Sequence, residues 1–148
     1  MKNIFTFYIL LLLGFFLNAQ NLKSPDNNLD LNFSIDEKGR AFYSLNFHDK
    51  PVILNSGLGF MLKDNVEWMK IDTLDMMNNF KILNVTFDSV DEYWNPVWGE
   101  ESEIRNNYNE MFVELQQIES ERKVNIRFRL FDDSLGFRYE FPLQEKLG

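Results

Sequence analysis

Cysteine is absent from the 148 residues, histidine occurs once and proline only four times. Without cysteine there is no disulfide framework, no thiolate nucleophile and no cysteine-ligated zinc or iron–sulfur centre. The single histidine, His48, sits beside Asp49 in a turn-like stretch, and with no nucleophile in evidence that pair does not make a catalytic triad. Cations are scarce too: 15 Lys and Arg face 23 Asp and Glu, a net charge of −8. Such a chain lacks the cationic field that displaces counterions from a phosphate backbone, which argues against a nucleic-acid partner. No proline-rich linker, internal repeat or low-complexity tract divides it, and its length suits one domain.

What is abundant is aromatic. With 15 Phe, 5 Tyr and 3 Trp, and 45% hydrophobic residues overall, the chain has ample material for a core and is not of disordered composition. At the N-terminus, Met1 and Lys2 precede an apolar run from Ile4 to Leu17 and then Asn18-Ala19-Gln20, the pattern of a secretory signal peptide. That run is about 14 residues, short of the roughly 20 a membrane-spanning helix needs. Cleavage after Ala19 would leave 129 residues beginning at Gln20, and loss of Lys2 takes the charge from −8 to −9. No membrane span is expected after cleavage, no cysteine is available for a lipid anchor, and the mature chain is expected in a periplasm or outside the cell.

Beyond the leader the hydrophobic period is two. Leu29, Leu31, Phe33 and Ile35 alternate with Asp30, Asn32, Ser34 and Asp36, and after the turn residues Asp36 to Gly39 the alternation resumes at Tyr43, Leu45 and Phe47. This predicts a hairpin. His48 to Pro51 predict a second turn before Val52-Ile53-Leu54, and Gly57 and Gly59 predict a bulge or a close backbone approach. Phe80–Phe87 reads as a strand, followed by a polar, aromatic loop over about 88–105. Val124 to Leu130 and Phe137 to Phe141 read as two antiparallel strands around the turn Asp132-Asp133-Ser134. Between the loop and these strands, Ile104, Tyr108, Met111, Leu115 and Ile118 recur at helical spacing. Met111, Val113 and Leu115 also alternate, Asn106-Asn107 weakens a helix start, and Glu119 to Arg122 suits a hairpin turn, so the segment is read as strand.

Several segments, taken in order, carry a resemblance: Ser24-Pro25-Asp26, Ser56-Gly57-Leu58-Gly59, Tyr93-Trp94-Asn95-Pro96-Val97-Trp98-Gly99-Glu100, Asn106 to Glu110, and Arg129 to Pro142. Together they are similar to the N-terminal region of glycoside hydrolase family 97, secreted bacterial exo-acting α-glucosidases and α-galactosidases. The resemblance implies an all-β fold, an antiparallel β-sandwich that is part of a galactose-mutarotase-like β-supersandwich, followed in the family by a catalytic (β/α)₈ barrel. It also implies a calcium ion beside the catalytic glutamates of the barrel. Glycoside hydrolysis needs two carboxyl groups fixed across the scissile bond. A barrel takes about 250 residues, and this chain is expected to hold an incomplete N-terminal domain with the barrel, the catalytic glutamates and the calcium ligands outside it. Residues 20–148 alone are expected to be inactive, and also poorly soluble or molten, because open strand edges and an uncovered apolar face invite aggregation.

Trp94, Trp98 and Glu100 are the candidate site residues, with Tyr93, Asn95 and Glu101 close by in sequence. Flat aromatic faces beside carboxylates suit sugar rings, so a sugar-facing or barrel-facing loop is one reading. The other is that the tryptophans plug the sandwich or an interdomain contact, since Trp buries a large area. Asp91, Glu92, Glu100, Glu101 and Glu103 offer hard oxygen ligands, but their spacing matches no calcium loop and they read as a solvated face. Arg127, Arg129 and Arg138 are expected to pair across strands with Glu140 or Glu114. The partners implied are the chain's own downstream barrel and an α-linked oligosaccharide. The alternative is a free-standing glycan-binding sandwich without hydrolase activity, or a purely structural domain.

Overall fold

The computed structural model describes residues 19–62 and 74–145. The expected signal peptide therefore lies outside the described residues, apart from its last position. Among the described residues there is no α-helix. Ten strands follow in chain order: β1 Gln20–Lys23, β2 Leu29–Ile35, β3 Ala41–Phe47, β4 Lys50–Leu58, β5 Phe60–Leu62, β6 Leu74–Met76, β7 Phe80–Trp94, β8 Ile104–Gln117, β9 Lys123–Leu130 and β10 Leu135–Glu140. All pairings are antiparallel. The first sheet has the order β1-β2-β3-β4, the second β10-β9-β8-β7, and β5-β6 form a small ribbon.

Alternation in the sequence becomes burial in the fold. Leu29, Leu31 and Phe33 of β2 face Met111, Val113 and Leu115 of β8 and Val124, Ile126, Phe128 and Leu130 of β9 in one core. Phe128 is fully buried, with Phe33 5.8 Å, Tyr43 6.4 Å and Phe137 5.8 Å away between ring centroids. Residues 104–117 are strand, as read: burying every second residue of β8 puts its apolar side chains on the core face, which a helix would have spread over two turns.

The β2–β3 hairpin closes as expected. The Asp36 carboxylate accepts the N–H groups of Lys38 and Arg40, both at 2.9 Å, and the Arg40 guanidinium at 2.7 Å. The Arg40 backbone N–H, first among these, holds the Asp36 carboxyl below its ordinary value. Gly39 has φ +69° and an added Cβ would lie 2.7 Å from Phe80 O and from Asn79 C, where the hairpin meets the start of β7. Gly39→Ala is expected to cost about 2–4 kcal/mol, combining left-handed strain with a backbone clash that no rotamer relieves. A urea midpoint unchanged by the substitution would contradict this.

The second turn is tighter than expected. His48 and Asp49, at φ 46° and 62°, make the whole connection, so β4 begins at Lys50 and takes in Pro51, which an edge strand tolerates. Gly59 makes the close approach predicted of it, its would-be Cβ 2.9 Å from Met76 O, while Gly57 has room and the register shift falls opposite Tyr43 to Asn46.

Candidate functional site

The expected loop over 88–105 is mostly strand. β7 pairs with β8 as far as Trp94 and Ile104, leaving only residues 95–103 as loop. β9 pairs with β8 no further than Asn109, so the rungs from Val90–Tyr108 to Trp94–Ile104 form a two-stranded arm beyond the sheet. At about 3.3 Å per residue the ribbon extends roughly 16 Å past β9. Its polar sequence misleads because, beyond Tyr108 buried at its base, the arm is wet on both faces and has no reason to alternate.

Polar pairs stiffen the arm. Arg105 grips Asp91 with two parallel hydrogen bonds, Nε to Oδ1 at 2.7 Å and Nη2 to Oδ2 at 2.8 Å, and its guanidinium lies 5.9 Å from the Tyr93 ring centre. This grip holds the Asp91 carboxyl below its ordinary value and raises that of Arg105. Asn106 donates to Glu92 at 2.8 Å, and Asn95 donates to the Ser102 carbonyl at 2.7 Å across the loop.

At the tip the side chains face solvent. Trp98 is 87% exposed, Val97 fully so, Tyr93 59% and Trp94 50%, while Glu100, Glu101 and Glu103 are exposed around them. Neither tryptophan plugs the sandwich, which corrects that half of the packing expectation. Val97, which sequence reasoning misses, is the most exposed apolar residue of the tip; the aromatic pair flanking Asn95-Pro96 is the signal that points to it. Among the described residues no group of three or more His, Asp or Glu is placed to hold a metal ion. Asp91 and Glu92 are engaged by Arg105 and Asn106.

The arginines singled out from the sequence line the outer face of the second sheet. Arg127 and Arg138 bind Glu140, at 2.6 and 2.8 Å, as expected. The other carboxylate is Glu110 and not Glu114: Glu110 stands opposite Arg129 and accepts from Arg129 at 2.8 Å and from Arg127, whereas Glu114 stands opposite Asn125. Arg127 lies 4.3 Å over Phe112 and Arg129 4.5 Å over Tyr108. The turn Asp132–Ser134 is structural, as read, with Asp132 accepting the Asp26 N–H at 2.9 Å.

Hydrogen bonds from Arg127, with a smaller contribution from Arg138, hold the Glu140 carboxyl below its ordinary value near 4.5. A depressed carboxyl contributes stability above its unfolded value, and that stability is lost as pH falls through the lower folded value. Unfolding free energy is therefore expected to fall below about pH 4.5, and Glu140→Gln is expected to flatten that limb. Parallel pH profiles for both proteins would count against the assignment.

Fold and arm together define a two-sheet antiparallel β-sandwich that carries an aromatic-tipped hairpin. The sequence model of the family described as Glycosyl-hydrolase 97 N-terminal matches residues 22–147, and the chain belongs to that family. It is 25% identical over 118 residues to a retaining alpha-galactosidase of Bacteroides thetaiotaomicron, a match covering 80% of this chain and 16% of that protein. Among solved structures, a glycoside hydrolase family 97 enzyme from Pseudoalteromonas sp. strain K8, seen in complexes with panose and with acarbose, matches with a TM-score of 0.71 and 33% identity. That match covers 85% of this chain and 18% of the enzyme. A beta-arabinopyranosidase shares the fold at 24% identity and TM-score 0.71. The chain thus spans less than a fifth of the length of these relatives.

Proposed function

We propose that this chain is the non-catalytic N-terminal part of an exported, calcium-dependent, exo-acting α-glycosidase, an α-glucosidase or α-galactosidase, in which it braces the catalytic barrel and shapes one wall of the substrate pocket. The observation that carries the reading is the arm: Trp94, Val97 and Trp98 are held out in solvent on a stiffened ribbon and none of them belongs to the hydrophobic core. Exposed aromatic clusters of this kind mark contact surfaces. The reacting carboxyl pair and the calcium ligands belong, on this reading, to the barrel.

Deleting this segment from the complete enzyme is expected to abolish hydrolysis of α-linked glucosides or galactosides, and adding the chain back as a separate polypeptide is expected to restore part of it. Full activity of the barrel without the segment would refute the bracing role. The exposure of Trp98 beside Glu100 and Glu101 also favours a second reading, a glycan-binding module. Titration with maltotriose separates the two: a saturable change in tryptophan fluorescence, lost in Trp98→Ala, supports sugar binding, and no change supports the interdomain role.

A further inference from the structure

The outer face of the second sheet carries one residue that the fold itself does not require. Gly136 sits inside β10 directly opposite Arg129, in a register that runs from Leu135 to Glu140 without a shift. It makes no bulge, its φ is not positive, and an added Cβ would meet nothing within 4 Å. Glycine weakens a strand interior, and where neither a bulge nor packing calls for it, the remaining reason is a close approach to the backbone from outside. The missing side chain leaves a notch of about 170 Å³, lined by Arg127, Arg129, Phe131 and Arg138 around Gly136.

The arginines around the notch differ in how much of their donor capacity is used. Arg127 donates from all three nitrogens, through Nε and Nη2 to Glu140 and through Nη1 to Glu110. Arg129 donates to Glu110 through Nε alone, and Arg138 to Glu140 through Nε alone. Each of these two keeps both Nη groups without a hydrogen-bond partner among the described residues. They stand on a cross-strand diagonal, about 7–8 Å apart at their Cβ atoms, with Gly136 next to both. The Tyr108 ring, 4.5 Å from the guanidinium, steadies Arg129. Three guanidinium groups against the Glu110 and Glu140 carboxylates leave one positive charge on this patch of an acidic chain. Asp88, opposite Glu110, stands on β7, two strands away from Arg129.

We propose that the notch binds a small sugar acid of the uronic-acid class, its carboxylate taken by the Nη groups of Arg129 and Arg138 and its ring lying over Gly136 against Phe131. Guanidinium groups match a carboxylate with paired, charge-assisted hydrogen bonds, and two of them converge here with those donors unspent. A side chain at position 136 would take the place of the ring, which gives the glycine its reason. Phe131, partly buried with its ring centre 5.2 Å from that of Tyr108, offers an apolar wall that a bare inorganic ion would not use. Neither the tip of the arm nor the barrel takes part, so the site stands or falls apart from the glycosidase reading.

Calorimetric titration of the complete protein with D-glucuronate tests this, with D-glucose and sodium sulfate as companion probes. Glucuronate is expected to bind saturably, glucose not at all, and sulfate about tenfold more weakly or less. Arg138→Gln is expected to weaken glucuronate binding by about tenfold or more, the loss of hydrogen bonds to a charged group. Gly136→Val is expected to abolish binding while the melting temperature stays level or rises, because a β-branched residue suits a strand and nothing in the chain opposes its Cβ. Absence of glucuronate binding would overturn the proposal, as would binding that survives Gly136→Val. Equal affinity for sulfate would reduce the notch to a general anion seat and remove the sugar acid, and equal affinity for glucose would remove the role of the arginines. A melting temperature clearly lowered by Gly136→Val would mean that the glycine answers to packing elsewhere in the complete protein, and would also overturn the site.

Discussion

In the complete protein, Phe128→Ala is expected to lower the unfolding free energy of this sandwich by about 3–5 kcal/mol, the cost of removing a buried ring and leaving its cavity. Phe128 touches both sheets through three aromatic neighbours, Phe33, Tyr43 and Phe137, and it is fully buried. A domain of this size typically holds about 5–15 kcal/mol in all, so the variant should be largely unfolded in modest urea or should lose its cooperative transition. Phe128→Leu, which keeps most of the volume, is expected to cost under half as much. Equal losses for both would mean that the ring is not the keystone of the core. Phe137→Ala offers an internal comparison: the ring is 41% exposed, so its removal should cost distinctly less.

The second large effect is one of function and leaves stability alone. Trp98→Ala in the complete enzyme is expected to weaken hydrolysis by about thirtyfold or more, the equivalent of losing a tryptophan anchor worth roughly 2 kcal/mol in an interface. The same substitution is expected to move the unfolding free energy of the sandwich in that protein by less than about 0.5 kcal/mol, because a side chain that is 87% exposed has little packing to lose. Trp94→Ala should behave alike with a somewhat larger stability term, since Trp94 sits on β7 opposite Ile104 and is less exposed than Trp98. Loss of stability without loss of activity would reverse the argument and make the arm a folding element.

The contrast between these two sites explains what can be read from residues alone. Wherever one face of a strand is dry, as at Leu29-Leu31-Phe33 or Val124-Ile126-Phe128, the alternation is legible because a slip of one residue would bury Asp30 or Arg127. Beyond Tyr108 at its base the arm has no dry face, so Val90 to Tyr93 look like loop although they are strand. Register is equally hidden. Nothing local distinguishes Glu110 from Glu114, four residues on along the same face of β8, and only the pairing of the whole strand sets Glu110 opposite Arg129. The notch over Gly136 is hidden as well, since it depends on the pairing that sets Gly136, and no side chain, opposite Arg129. The candidate trio itself stays together. Trp94 and Trp98, singled out for their chemistry, lie at one exposed tip, with Glu100 exposed in the same loop.

The central claim is that this sandwich flanks a sugar-cleaving centre without containing it. The most direct measurement is release of nitrophenol from p-nitrophenyl α-glucoside and α-galactoside by the purified chain, with calcium present, beside the polypeptide read on through the barrel. The account predicts no release above buffer from the chain and turnover from the longer protein. Hydrolysis by the chain alone, persisting through repeated purification, would contradict it.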